Sequence, residues 1–503
     1  MLTRLSFVFA MLAGCSFIID TNETQCSTDS DCSQFGSNHP FCQQGVCVDS
    51  MLGPPGCFFG TPMQPSDFAN QCTTAQTFQY DNCKNLNLCD ATSLTNAMTT
   101  MIAPTPGVDA GKATAPVTTQ PTPTVNCTDL ASDGVASAVM YITGSTNLPP
   151  LIKAVQPLLY TAAPSYVAVF APQTSCAGAA SIYDPDVTKH VIHDAANNFA
   201  FYYDTSGNQQ FCLLGSAGQP VDVGESDVYP TTCGYAENAS SFGDYTGPIQ
   251  AITFVVPSAS SQKVISAEAA HLVFGAGANN NQVLPWTNPQ LYFVRSSGTG
   301  TVQLPSKAIQ VMPTMWWGFD QLSAGNLVET MESVVPSDAE ASIGVLSNDF
   351  ADRSRGNLTT LAFQQAGESY GYLPDSSPTS TDKMNVRDGH YPMWGAIHLL
   401  ATITNGQPSA AAKALITQFT LSKLDMNLVA AIIAAGFIPQ CAMAVNHTTE
   451  VGTLASLAPT SACDCFFLSQ TKSPLPAACV TCMGASDCPS SRPACSYGYC
   501  EPQ

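Results

Sequence analysis

Arg295-Ser296-Ser297-Gly298-Thr299-Gly300-Thr301 follows the short apolar strand predicted at 291–294 and leads into a helix. Thr143-Gly144-Ser145-Thr146-Asn147 repeats the design after the apolar strand predicted at 138–143. Its helix places Leu151, Ile152, Val155, Leu158 and Leu159 on one side, with Pro149 and Pro150 in the first turn, where proline is tolerated. Helix N-termini leave backbone N–H groups unpaired, with the positive end of the helix dipole behind them. Ser and Thr hydroxyls add donors, Gly lets the backbone approach, and the arginine adds a bidentate fork, which together suit a tetrahedral oxyanion. One such loop alone is an ordinary helix cap. Working outward, strands are expected at 166–170 and 249–256, and helices at 266–274, 326–335, 410–419 and 426–435. Alternating elements of this kind predict an α/β fold with mostly parallel sheets.

Two further segments complete the pattern. Thr174-Ser175-Cys176-Ala177-Gly178 is another small-residue turn after a strand, and Val221-Asp222-Val223-Gly224-Glu225-Ser226-Asp227 sets an aspartate at a strand end. In order and spacing, residues 138–439 resemble the phosphate-binding proteins of bacterial phosphate ABC transporters, a family of type-II periplasmic binding proteins. Gly247-Pro248, Val255-Val256-Pro257, Trp286, Gly325-Asn326, Ile343-Gly344-Val345, Tyr391-Pro392-Met393-Trp394 and Gly436-Phe437-Ile438-Pro439 fit the same order. The resemblance implies a two-lobed fold with the ligand cleft between the lobes. It implies phosphate ligands at Thr146 and the backbone of Asn147, at Ser175, at Asp227 as acceptor, and at Arg295, Thr299, Gly300 and Thr301. Thr299 stands where the family usually has Ser and keeps the hydroxyl. Cys176 replaces a glycine and is open to pairing with Cys212 or Cys233. An acceptor carboxylate suits hydrogen phosphate, which has a proton to donate, and repels sulfate, which has none near neutral pH. A turn aspartate capping a backbone N–H is the structural alternative for Asp227.

Composition bounds the rest. The 503 residues carry 16 Lys and Arg against 37 Asp and Glu, a net −21, so no global field gathers nucleic acid or an anionic membrane. Charged residues make up only 11% of the chain. Twenty-one cysteines point to an oxidising compartment. Arg4, the apolar stretch 5–13 and Leu12-Ala13-Gly14-Cys15 read as a lipoprotein signal peptide, with Cys15 acylated. Ser16 after it resembles the outer-membrane sorting pattern of Gram-negative bacteria. The expected location is therefore the bacterial cell envelope, lipid-anchored, at the outer membrane.

Cys26, Cys32, Cys42 and Cys47, with Ser30-Asp31, Pro40 and Gly45, are echoed by Cys482, Cys488, Cys495 and Cys500, with Ser486-Asp487, Pro493 and Gly498. Segments this short need staples, and the spacings lack the paired knuckles of zinc sites, so disulfides are expected. The expected organisation is a signal peptide (1–14), the lipidated Cys15 with a Cys-rich module (15–50) and a Cys-containing segment (51–102). A Pro/Thr-rich linker (103–125) leads to the solute-binding domain (126–460, second lobe about 245–375) and a C-terminal Cys-rich module (461–503).

Gly367-Glu368-Ser369-Tyr370-Gly371 matches the G-x-S-x-G pattern and makes a serine hydrolase using Ser369 one alternative. His190, His193 and Asp194 lack a third ligand pattern and read as a solvated turn, not a metal site. The reading is a binding protein, not an enzyme, with no cofactor and no metal. It takes inorganic phosphate or a related oxyanion for uptake or sensing, is held to the membrane by a lipid anchor, and has an ABC permease as its possible partner. The rival is an adhesive or scaffold lipoprotein whose binding-protein fold has lost its anion.

Overall fold

The computed structural model describes residues 26–28, 30–32, 41–43, 46–48, 53–54, 57–58, 62–99, 101–102, 123–192, 199–236, 240–277, 283–471 and 475–502. The signal peptide, Cys15, most of the Pro/Thr-rich linker, His193 and Asp194 lie outside the described residues. The chain divides into two compact units. The smaller spans Met1–Thr61 with Gln71–Thr74. It holds an antiparallel hairpin, Phe41–Gln43 with Val46–Val48, stapled by Cys26–Cys42 and Cys32–Cys47, and a third bridge, Cys57–Cys72.

The larger unit is built on one eleven-stranded sheet. Its strands are β1 (Ala138–Ser145), β2 (Tyr166–Gln173), β3 (Phe199–Tyr203), β4 (Gln209–Leu213), β5 (Val223–Ser226) and β6 (Phe242–Pro257). They continue as β7 (Tyr292–Val294), β8 (Phe319–Asp320), β9 (Ile343–Ser347), β10 (Leu358–Thr360) and β11 (Trp394–Thr402). The order is β8-β7-β9-β6-β11-β5-β1-β2-β3-β4, with β10 on β6. β5, β1 and β2 are mutually parallel, as are β9, β7 and β8. Between these groups β6 and β11 run antiparallel. The sheet is therefore mixed, not mostly parallel. The sequence pattern shows hydrophobic runs but not the long central pair or the β3–β4 hairpin that reverse direction. Two parallel groups joined by long shared strands make the two-lobed fold.

Helices cover each group. α1 (Pro149–Thr161) and α2 (Ser175–Tyr183) follow β1 and β2, and α3 (Ala267–Ala276), α4 (Gly300–Ile309), α5 (Ala324–Glu332) and α6 (Asn348–Arg353) serve the other lobe. α7 (Ala410–Thr420) and α8 (Met426–Ala434) return to the first lobe, where Leu415, Ile416, Leu428 and Ile432 pack with Leu151, Val155, Leu159 and Phe170. Each such side chain contributes about 1.5–3 kcal/mol on full burial. The second core gathers Phe254, Phe274, Trp286, Tyr292, Trp317 and Phe363. α5 begins at Ala324, capped by the Ser323 hydroxyl on Asn326 N–H at 3.0 Å. It stops short of the predicted Val335 because Pro336 disfavours helical geometry in the residue before it.

At the C-terminus Cys482–Cys495 and Cys488–Cys500 staple the hairpin Ala494–Ser496 with Tyr499–Glu501, the same pairing pattern as at the N-terminus. Ten disulfides account for the twenty cysteines other than Cys15. Cys176 pairs with Cys233, while Cys212 pairs with Cys127. Among the described residues no helix is long and apolar enough to cross a membrane.

Candidate functional site: three loops around a buried carboxylate

Asp227, just beyond β5, is the point on which the loops converge. The Ser145 hydroxyl at the end of β1 donates to Asp227 Oδ2 at 2.6 Å, and the Asn147 amide donates to the same oxygen at 3.2 Å. Ser145 is the last residue of β1, and Thr146 and Asn147 form the turn that leads on to α1. Thr146, a predicted ligand, is half-buried and is not among the groups bonded to Asp227; Ser145 takes that place.

Ser175 opens α2, whose cap is the Thr174 hydroxyl on Ala177 N–H at 3.1 Å. The Ser175 hydroxyl donates to Asp227 Oδ2 at 3.0 Å. From the other lobe, Gly300 at the start of α4 donates its N–H to Ser175 Oγ at 2.8 Å, and Cys176 N–H donates to Gly298 O at 3.0 Å. Two helix N-termini thus face one carboxylate, where their dipoles favour negative charge. Gly300 is required by closeness: a Cβ there would fall 2.5 Å from Asp227 Cβ. Thr299 precedes α4 but turns its hydroxyl to Ser296 O at 2.8 Å, and Thr301 is buried in the first helical turn without bonding Asp227.

Arg295 is 5% exposed and donates from Nη2 to Leu322 O at 3.2 Å, while its Nε meets no acceptor. Burial pushes its pKa down, and the charges of Asp320 and Asp227 push it back up. Burial likewise raises the pKa of Asp227, against the lowering effect of Ser145, Ser175 and Asn147.

The sequence reading missed three members of this network. Glu225 is fully buried, and its Oε2 accepts Ser145 N–H at 2.6 Å. Gln250 on β6 accepts from Asn147 at 3.0 Å and donates to Asp349 at 3.3 Å. Asp349 on α6 pairs with Arg353 at 2.8 Å. The polar chain therefore crosses from one lobe to the other. Position in a strand gave no signal that Glu225 points inward; Gly144 leaves room for its carboxylate, since a Cβ there would sit 2.8 Å from Glu225 Oε2.

Chemically, the cluster is a set of anion donors (two hydroxyls, an amide, a helix N–H and a guanidinium) closed around the protein's own carboxylate. Ser369 lies elsewhere, exposed in the connection between strands Ala362–Gln364 and Gly371–Tyr372. A nucleophile elbow instead joins a strand to a helix. His190 bonds through Nε2 to the Asp184 carbonyl at 2.7 Å.

No family model matches this sequence, and no curated protein matches it. Among solved structures, the chain is similar to an ABC-type phosphate transport receptor from Vibrio cholerae, at 14% identity and a TM-score of 0.38, covering 59% of this chain and 99% of that one. It is similar to a phosphate-binding protein from Stenotrophomonas maltophilia, at 12% identity and a TM-score of 0.36, covering 60% and 90%. It is also similar to the reduced regulatory domain of OxyR from Pseudomonas aeruginosa, at 9% identity and a TM-score of 0.31, covering 56% and 95%. At these identities the likeness concerns the fold alone.

Proposed function

We propose that this is a cell-envelope solute-binding lipoprotein, anchored through Cys15, that takes phosphate or a similar tetrahedral oxyanion between its lobes. The supporting observation is the meeting of two helix N-termini, from opposite lobes, at Asp227 within a ring of hydroxyl and amide donors. Those groups are the kind that hold an oxyanion without a full counter-charge. Ser175, Asp227, Asn147, Gly300 and Arg295 would carry the ligand, with Thr146, Thr299 and Thr301 brought to bear as the lobes part and reclose on it. The binding domain is proposed to span 126–460, with its second lobe at about 245–375. Delivery to an ABC permease follows from the same reading. Titration calorimetry of the purified protein with phosphate, arsenate and sulfate tests it. Heat with phosphate and arsenate but none with sulfate is expected; no heat with any of the three would overturn it.

One observation favours a second reading, in which the fold serves as a scaffold. Gly300 packs directly on Asp227, and the donors are spent on each other and on that carboxylate. A scaffold would bind none of the three ions, and Asp227→Ala would still unfold it readily.

A further inference from the structure

Glu225 stands two residues before Asp227, and the Ser145 backbone N–H holds its Oε2 in the same turn whose hydroxyl holds Asp227. One oxygen of each carboxyl, Glu225 Oε1 and Asp227 Oδ1, meets no donor, although the two side chains lie within hydrogen-bonding reach of each other. Two ionised carboxylates are both pure acceptors and repel. A single proton shared by the two side chains turns one acceptor into a donor and removes one of two buried charges. The groups around the pair leave no other remedy. Arg295 faces it ahead of α4 and is itself shared with Asp320 on β8. Asp349 of α6 is tied to Arg353, and His398 of β11 is tied to Asp244 at 2.8 Å.

Resting on the function proposed above, we propose that Glu225 and Asp227 share one proton, and that Glu225 thereby sets which form of the oxyanion the site admits: the singly charged form. The pair then carries one negative charge against the one positive charge of Arg295. A doubly charged ion would leave two charges uncompensated in a buried site, and a singly charged one leaves one. The singly charged form of phosphate also brings two O–H donors, and Asn147 Oδ1 is a buried acceptor with no donor of its own. Glu225 acts here as a positioning residue through Asp227, not as a ligand. Burial, and then the Asp227 charge, push its pKa well up, in the same sense.

Two profiles test this. Raised carboxyl pKa values in the fold mean that the folded state holds protons the unfolded chain has released, so stability is lost as pH rises above the ordinary carboxylate range. The carboxyl pair's share of the parent's Tm, read as the difference from Glu225→Gln, which cannot release a proton, should fall from roughly pH 5 to 8. Parallel profiles in parent and variant would overturn the shared proton, whatever phosphate does. The second ionisation of phosphate lies near neutrality, so the parent's affinity for inorganic phosphate should drop about tenfold between pH 6 and 8. Glu225→Gln keeps a donor and one negative charge at the pair and should keep that fall, whereas Glu225→Leu leaves buried Asp227 to hold the proton itself, removes the pair's charge and should lose it. Affinity that is flat or rising with pH in the parent would overturn the choice of ion form. A Tm difference that falls as expected, with no phosphate heat at any pH, would overturn the proposed function and the choice of ion form together, and uphold the shared proton alone.

Discussion

Arg295 and Asp227 act on an anion in opposite senses, so their substitutions should fail differently. Arg295→Ala removes a buried charged donor and should weaken phosphate binding by about 2–5 kcal/mol. Asp227→Asn keeps the shape and replaces a pure acceptor with an amide that also donates. It should lose little phosphate affinity and gain measurable sulfate binding, since the repulsion aimed at sulfate is gone. Competition calorimetry with both ions reads the difference; an Asp227→Asn protein as blind to sulfate as its parent would contradict the role given to Asp227. His447 offers an independent acid-side prediction. Its ring lies tilted against Trp394 with centroids 3.9 Å apart, and burial, with a smaller effect of the nearby His398, holds its pKa down at about 4. The unfolded chain therefore binds a proton on this side chain that the folded state refuses between the ordinary value of 6.5 and about 4. Stability should be lost as pH falls through that window, and His447→Phe should flatten the loss when Tm is followed by circular dichroism. At this scale the sequence reading named Ser175, Asp227 and Arg295 from loop chemistry, and Ser175 and Asp227 are hydrogen-bonded to each other in the fold. It named Thr146 where Ser145 bonds, because only the folded turn shows that Ser145, the last residue of β1, reaches Asp227. It missed Glu225 because the group that holds its carboxylate, the Ser145 backbone N–H, lies 80 residues away in the chain.

Elements carry the second set of predictions. α2 and α4 meet through Ser175 and Gly300, and the Cys176–Cys233 bridge ties the start of α2 to the loop that follows Asp227. Gly300→Ala drives a methyl into Asp227 and should hold the lobes apart, lowering Tm by several degrees, the shift expected for about 1–3 kcal/mol of overpacking. Replacing Cys176 and Cys233 together by Ser opens a loop of 57 residues and should cost about 2–5 kcal/mol in denaturant unfolding. An unchanged midpoint would mean that packing alone places the loop. The strands and helices of the two lobes were legible because apolar runs alternate with helical spacing. The full length of β6 was not, since only its part from Ile249 onward is predominantly apolar. The chain shifts register between Thr246 and Ile249, at Gly247-Pro248, and the polar first part of the strand continues against β11 beyond that break. Such a continuation is a property of the partner strand, not of the local sequence.

Across the whole molecule, the cysteine count and the twin end motifs foretold a disulfide framework, and the structure supplies the connectivity that spacing cannot give. Intact-mass analysis of the mature protein should find no free thiol among residues 26–503 without reduction. Several free thiols together with stoichiometric zinc would contradict the assignment. Cys15→Ala should release the protein from the membrane fraction. The central claim is that the lobes close on an oxyanion where they now close on Asp227, and the most direct measurement is a crystal structure grown with phosphate. The account predicts phosphate between Asp227 and Gly300, with Gly300 N–H and the Ser175 hydroxyl turned to its oxygens and the lobes moved apart to admit it. Intact Gly300–Ser175 and Ser175–Asp227 hydrogen bonds, with no phosphate at the loops, would contradict it.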